Sequence, residues 1–170
     1  MARMMPHLTE HELEGLSSSA EREVYRLFQQ QLNDDVIVLH SLELVGLSPS
    51  GAARDLEADF VLFLKDRGFL IIEVKGGGVQ VDPETGTWRS RDRRGKLHTV
   101  KDPLRQARTA KYEVLRHLQA ARGWPFVRGK KVLAACAALF PDLADASRLA
   151  GPGRPAAILG SAGELNDLTA

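Results

Sequence analysis

The spacing of apolar residues predicts an alternation of helices and strands along most of the chain. Ser17 to Leu32 carries Val24, Leu27, Phe28 and Leu32 at helical intervals. Ser18 or Ser19 stands in front as a cap, and Glu21 and Glu23 lie in the first turn, where the helix dipole favours negative charge. Val36-Ile37-Val38-Leu39 is a short β-branched run that predicts a strand, and Gly46 to Arg54, with Ser48-Pro49-Ser50-Gly51, reads as a loop. Ala58 to Leu64 and Phe69 to Val74 follow as two strands joined by a tight turn at Lys65-Asp66-Arg67-Gly68.

After Gly76 to Gly78, the segment Val79-Gln80-Val81, the turn Pro83-Glu84-Thr85-Gly86 and Trp88 predict short edge strands. Asp102 and Pro103 open a second helix as N-cap and first position; Leu104, Ala107, Leu115 and Leu118 carry its apolar face to Ala121, and Gly123 ends it. Lys131 to Phe140 suits a central buried strand, although periodicity alone leaves a helix open. The order α, β, β, β, edge strands, α, β describes an α/β domain with a mixed central sheet flanked by helices. Ser161-Ala162-Gly163-Glu164 has capping-box spacing, and Leu165 and Leu168 begin an apolar helical face that stops at Ala170. The expected organisation is an N-terminal extension over 1–16, a domain over 17–160, and over 161–170 the start of a C-terminal helix truncated from a longer protein.

Composition agrees with one folded domain: 170 residues, 44% hydrophobic and 26% charged, are enough for a core. The net charge of +1 neither demands nor excludes a nucleic-acid partner, so any basic surface must be local. Cys136 is the only cysteine, which excludes an internal disulfide, and within the apolar run Val132 to Leu139 it reads as a small buried hydrophobe. No signal-like N-terminus is present, and no apolar stretch approaches the roughly 20 residues that span a bilayer; a cytoplasmic protein without a membrane partner is expected.

Candidate chemistry sits where the two central strands end. Glu73 and Lys75 are two apart on one strand and leave the same face. Asp59 is on the partner strand, but a four-residue turn would set it opposite Val74, out of step with Glu73. A turn of three or five residues, or a bulge, must correct that parity, which would bring the two carboxylates to roughly 5 Å. Such a pair repels by about 4 kcal/mol at an effective dielectric near 20, so a cation is the natural companion; hard oxygen ligands suit Mg²⁺ or Mn²⁺. Metal, carboxylates and lysine together hydrolyse phosphodiesters. The same spacing is also met by an ordinary ion pair at a strand end.

Ser18-Ser19-Ala20-Glu21, Glu57-Ala58-Asp59-Phe60-Val61-Leu62, Gly68-Phe69-Leu70-Ile71-Ile72-Glu73-Val74-Lys75-Gly76 and Asp102-Pro103-Leu104-Arg105-Gln106-Ala107 occur in that order. Together they resemble the nuclease-related domain (NERD) family, of the restriction-endonuclease-like superfamily with its P-D…(D/E)-x-K signature, over roughly Ser17 to Leu118. The resemblance implies a restriction-endonuclease-like core (αβββαβ) and a Mg²⁺- or Mn²⁺-dependent deoxyribonuclease. In it Asp59, Glu73 and Glu21 would be metal ligands, Lys75 the catalytic lysine and Gln106 a polar site residue. Ala58 stands where the signature has proline. Glu57 fits the family pattern but is expected on the opposite face from Glu73.

Glu23 competes with Glu21 for its role; Glu21 is preferred because Glu23 adjoins the apolar Val24 and lies about 200° around the helix from Glu21. Arg105, Arg108 and Lys111 on the second helix, and Arg89, Arg91 and Arg93 after Trp88, are candidate contacts to a nucleic-acid backbone, for which the resemblance favours DNA without excluding RNA. Fusion to or docking on further domains, such as a helicase, is a further expectation. Two other readings stay open. One is a catalytically silent nuclease-fold module that binds nucleic acid or docks a partner domain. The other is a structural interaction domain, preferred if Glu73 is buried in a salt bridge with no room for a cation.

Overall fold

A computed structural model describes residues 1–47, 53–92, 94–121 and 132–168. Its centre is a six-stranded mixed sheet of β1 (Arg3–Met5), β2 (Val36–Leu47), β3 (Ala53–Leu64), β4 (Gly68–Val74), β8 (Leu133–Phe140) and β9 (Leu159–Ser161), side by side in that order. β2, β3 and β4 run antiparallel in sequence, whereas β1 on β2, β8 on β4 and β9 on β8 are parallel. This is the expected mixed α/β fold. β2 continues eight residues beyond Leu39 because Leu42 and Leu44 extend its apolar alternation against β3. The ends of the expected loop thus belong to β2 and β3, and its centre, 48–52, lies outside the described residues, as do Gly123 and Lys131.

Each face of β4 is covered by a helix, which is why its apolar residues run without interruption. Ile72 and Val74 pack with Ala20, Val24, Tyr25 and Phe28 of α2 (Ser19–Gln31), and Phe28 meets Phe60 edge-on at 5.2 Å. On the other face, Phe69 and Ile71 pack with Ala107, Ala110 and Val114 of α3 (Pro103–Ala120). Ser18, not Ser19, caps α2, its Oγ accepting from the Glu21 amide at 3.2 Å, and Asp102 caps α3 by accepting from the Arg105 amide at 3.0 Å.

Residues 1–16, set apart above as an extension, supply β1 and α1 (Glu10–Gly15), and bury Ala2, Met4 and Leu13 in the α2-side core. The Tyr25 hydroxyl accepts from the Leu8 amide and donates to the Pro6 carbonyl, both at 2.9 Å, tying this segment to α2. At the other end, α4 (Ala162–Leu165) begins with the expected capping box and buries Leu165 in the same core. Gln31 holds it by donating to the Leu165 carbonyl at 2.9 Å and accepting from the Leu168 amide at 3.0 Å.

The predicted edge strands do not extend the main sheet. β5 (Gly78–Val81), β6 (Trp88–Arg91) and β7 (Leu97–Thr99) form a separate antiparallel sheet of three. Its Trp88 stacks on Phe140 at 5.9 Å, so this sheet buries its apolar side against the end of β8. Short strands with a single large aromatic residue find more apolar area there than at a sheet edge.

Candidate functional site

The strands that carry the acidic residues meet in a register that corrects the parity of Asp59 and Glu73. Leu64 pairs with Gly68 and Phe60 with Ile72, so the connection is three residues, Lys65 to Arg67, with Asp66 at φ 59. Continued by one step, that register sets Asp59 opposite Glu73. Backbone pairing stops there instead: the Asp59 carboxylate accepts a hydrogen bond from the Val74 amide at 2.7 Å.

The partner strand is interrupted at the same level. His40 pairs with Phe60 and Leu42 with Ala58, but Ser41, at φ 51, forms no ladder pair with Asp59. Across this break, alternation slips: Phe60 and Leu62 pack on the α2 side, whereas Ala58 joins Val61 on the α3 side. Beyond it the β2–β3 arm separates from β4, and the opening is a cleft of about 1070 Å³.

Asp59, Glu73, Lys75, Gln106 and Arg105 all line that cleft. Glu73 is 1% exposed; its Oε1 accepts from Lys75 Nζ at 2.6 Å, while its Oε2 is buried without a hydrogen-bond partner among the described residues. Gln106 Oε1, presented by the first turn of α3, is likewise buried and unpartnered. Burial pushes the Asp59 carboxyl from 3.8 up to about 7, the Glu73 charge adding to the effect and the Val74 amide and Lys75 opposing it. Burial raises Glu73 too, against the pull of Lys75.

Glu21 does not line the cleft. Its Oε2 lies 3.6 Å from Nε2 of the buried His40, too long for a hydrogen bond. The His40 imidazole holds the Glu21 carboxyl below the usual carboxylate range against the opposite effect of burial, and the charge of Glu21 is felt at both Asp59 and Glu73. Among the described residues, no three His, Cys, Asp or Glu side chains are gathered into a set that could hold a metal ion. Mg²⁺ needs only one or two carboxylates when water and substrate fill its other positions. Asp59 and Glu73 line the cleft where β3 and β4 part, the latter with an unsatisfied oxygen.

The chain leaves the site through glycines for a steric reason. At Gly77, φ 81, a Cβ would come within 2.7 Å of the Arg91 carbonyl, and the Gly77 amide donates to Asp142 Oδ2 at 2.5 Å. The turn past Lys75 is thus fixed by β6 on one side and Asp142 on the other.

Several residues fall elsewhere than their sequence positions suggested. Glu57 lines the cleft with Glu73 rather than facing away; it lies beyond the slip in alternation, on the β2–β3 arm that borders the opening. Arg89 is paired with Asp82 at 3.5 Å, and Arg91 donates to the Gly95 carbonyl at 2.9 Å; both belong to the separate sheet and neither lines the cleft. Arg93 lies outside the described residues. Arg108 faces an adjoining groove, and Lys111 lies over the Tyr112 ring at 4.7 Å. Sequence reasoning missed His40, Lys101, Glu43 and Asp55. His40 had a faint signal as the polar residue ending an apolar strand, and Lys101 as the cation beside the Asp102 cap.

No curated protein and no solved structure matches the chain. The sequence profile of NERD, the nuclease-related domain, matches residues 16–134, a span that contains Glu21, Asp59, Glu73, Lys75 and Gln106. With most of its length matched and its acidic strand pair in register, the chain belongs to the nuclease-related domain (NERD) family.

Proposed function

We propose that this domain hydrolyses phosphodiester bonds in DNA with a divalent metal ion, Mg²⁺ or Mn²⁺, held by Asp59 and Glu73. The observation that carries the reading is the unsatisfied, buried Glu73 Oε2 beside a carboxyl as perturbed as Asp59, both on one cleft. The cleft lining also includes Glu43, Asp55, Glu57 and Asp102, against Lys75, Lys101 and Arg105. Such a surface repels a polyanion until a cation offsets the charge. When bound, the ion supplies Lewis-acid polarisation of a phosphate oxygen and a lower pKa for an attacking water.

The protein groups then have separate tasks. Lys75, already a donor to Glu73, has further N–H groups to orient a water or to offset negative charge growing on the phosphate. Gln106 offers its unpartnered oxygen to a water or sugar hydroxyl. Lys101 and Arg105, on the opposite wall, anchor flanking phosphates without reading bases. Glu21 acts through its charge, steadied by His40.

A second reading, a silent module that binds DNA without cutting it, draws on the closed Lys75–Glu73 pair and on the lack of a three-ligand set among the described residues. Incubation of labelled single- and double-stranded DNA and RNA with Mn²⁺, beside Glu73→Ala and Lys75→Ala, decides between the two. Cleavage of DNA lost in both variants is the expected result. Cleavage undiminished in the variants would remove the site assignment, and salt-sensitive binding without any cleavage would favour the silent module.

A further inference from the structure

Next to the cleft, on the other side of α3, lies a second groove of about 470 Å³. Asp102, Arg105 and Thr109 line both, so the two openings adjoin along the first turns of the helix. Their charges differ. The cleft is rich in carboxylates, whereas the groove is lined by Arg105, Arg108 and Arg154 with, among the described residues, Asp102 as its only acid, and that acid is engaged as the helix cap. Among the described residues, neither Arg105 nor Arg108 is paired with a carboxylate.

Arg105, Arg108 and Tyr112 follow at i, i+3 and i+7 and so share one face of α3. Tyr112 is 60% exposed, so its ring is accessible to whatever enters the groove. Lys111 Nζ stands over the ring at 4.7 Å, and Tyr112 lines the groove. Arg154 is held in place by donating to the Leu149 carbonyl at 3.1 Å and by lying over Trp88.

We infer that this groove binds an unpaired stretch of DNA leading into or out of the cleft, with phosphates on Arg105 and Arg108 and a base stacked on Tyr112. The arginines alone would serve any nucleic-acid backbone. The ring decides for a single strand, because a base inside a duplex already has its faces covered by its neighbours. The choice of occupant rests on the nucleic-acid reading of the cleft, and the preferred substrate becomes DNA with a single-stranded extension.

The test is fluorescence anisotropy in EDTA, so that binding is read without cleavage, on blunt duplex DNA and on the same duplex with a DNA or an RNA extension. Wild-type protein should bind the DNA-extended duplex about tenfold more tightly than the blunt one, the scale of one base–aromatic stack. Tyr112→Ala should remove that preference and Tyr112→Phe should keep it. Arg108→Ala should lower the slope of log affinity on log salt by about 0.7, one phosphate contact to a single strand. Both sites are exposed, so folding is not at stake.

Equal binding of blunt and extended duplexes by wild-type protein, or a preference that survives Tyr112→Ala, overturns the inference whatever the outcome of the Mn²⁺ cleavage assay. A preference for the RNA extension over the DNA one overturns the choice of DNA. An extension preference without Mn²⁺-dependent cleavage upholds the groove and defeats only the catalytic reading.

Discussion

The Asp59 carboxylate accepts the Val74 amide at 2.7 Å, filling by side chain the next place in the β3–β4 ladder after Phe60–Ile72. A carboxylate used in this way is committed to one geometry. One oxygen completes the sheet, and the group stays half-buried next to Glu73, where its ionisation is disfavoured.

That position predicts a pH dependence. Asp59 titrates near 7 in the folded protein against an ordinary 3.8, so between these values the native state holds a proton that the unfolded state has released. Its contribution to stability is complete below 3.8 and is lost as pH rises through about 7. Denaturant unfolding in EDTA should therefore show the wild-type protein losing stability relative to Asp59→Asn across that window. A difference that stays flat with pH would refute the raised carboxyl.

Lys75→Ala should leave Glu73 buried without its counter-charge. The expected cost at alkaline pH is on the order of 2 kcal/mol, less than for a fully buried pair because Lys75 is 23% exposed. Glu73→Gln in the same chain should recover most of it. A double-mutant cycle of unfolding free energies measures the recovery, and strict additivity would mean that the 2.6 Å contact contributes nothing.

A divalent ion at Asp59 and Glu73 should stabilise the folded state, since it binds there and not to the unfolded chain. The gain is about 2.7 kcal/mol at a hundred times the dissociation constant, visible as a rise in melting temperature with Mn²⁺. The rise should vanish in Glu73→Gln, a variant that keeps the side-chain shape. An equal rise in that variant would place the ion elsewhere.

Gly77→Ala tests the exit from the site. Its φ of 81 and the 2.7 Å approach of a Cβ to the Arg91 carbonyl predict a loss exceeding about 1 kcal/mol, because neither the backbone nor β6 can give way cheaply. Gly86→Ala, also at positive φ but with open space around its Cβ, separates backbone strain from the clash. Equal melting temperatures for the two variants would show that the clash is relieved at no cost.

Local patterns made the central elements legible. The first helix, the β3–β4 hairpin and the Asp102–Pro103 helix start follow from spacing and capping, and the parity of Asp59 and Glu73 called for a turn of three or five residues or a bulge, of which the three-residue turn is present. Residues whose role depends on distant partners left little trace. Arg3 to Met5 is too short to declare itself a strand and becomes one only by lying beside β2. Val79 and Trp88 were legible as strand residues, but their packing partner Phe140 comes much later in the chain. His40 meets Glu21 only because β2 passes beneath α2. The carboxylate lining of the cleft was hidden by the slip in alternation at Ser41 and Asp59, which no periodic pattern announces.

The short connection between β3 and β4 also bears on the order in which the protein assembles. Closing such a loop is among the fastest events open to a chain, within about 100 ns for ten residues. Asp59, Glu73 and Lys75 therefore gather as soon as one local hairpin forms, while water still screens them. The wall that carries Arg105 and Gln106 arrives later, with α3 packing across the sheet. Repulsion between the acids is met first under solvent, and their desolvation follows only when the helix docks, so the electrostatic strain of the site falls on a late step of folding.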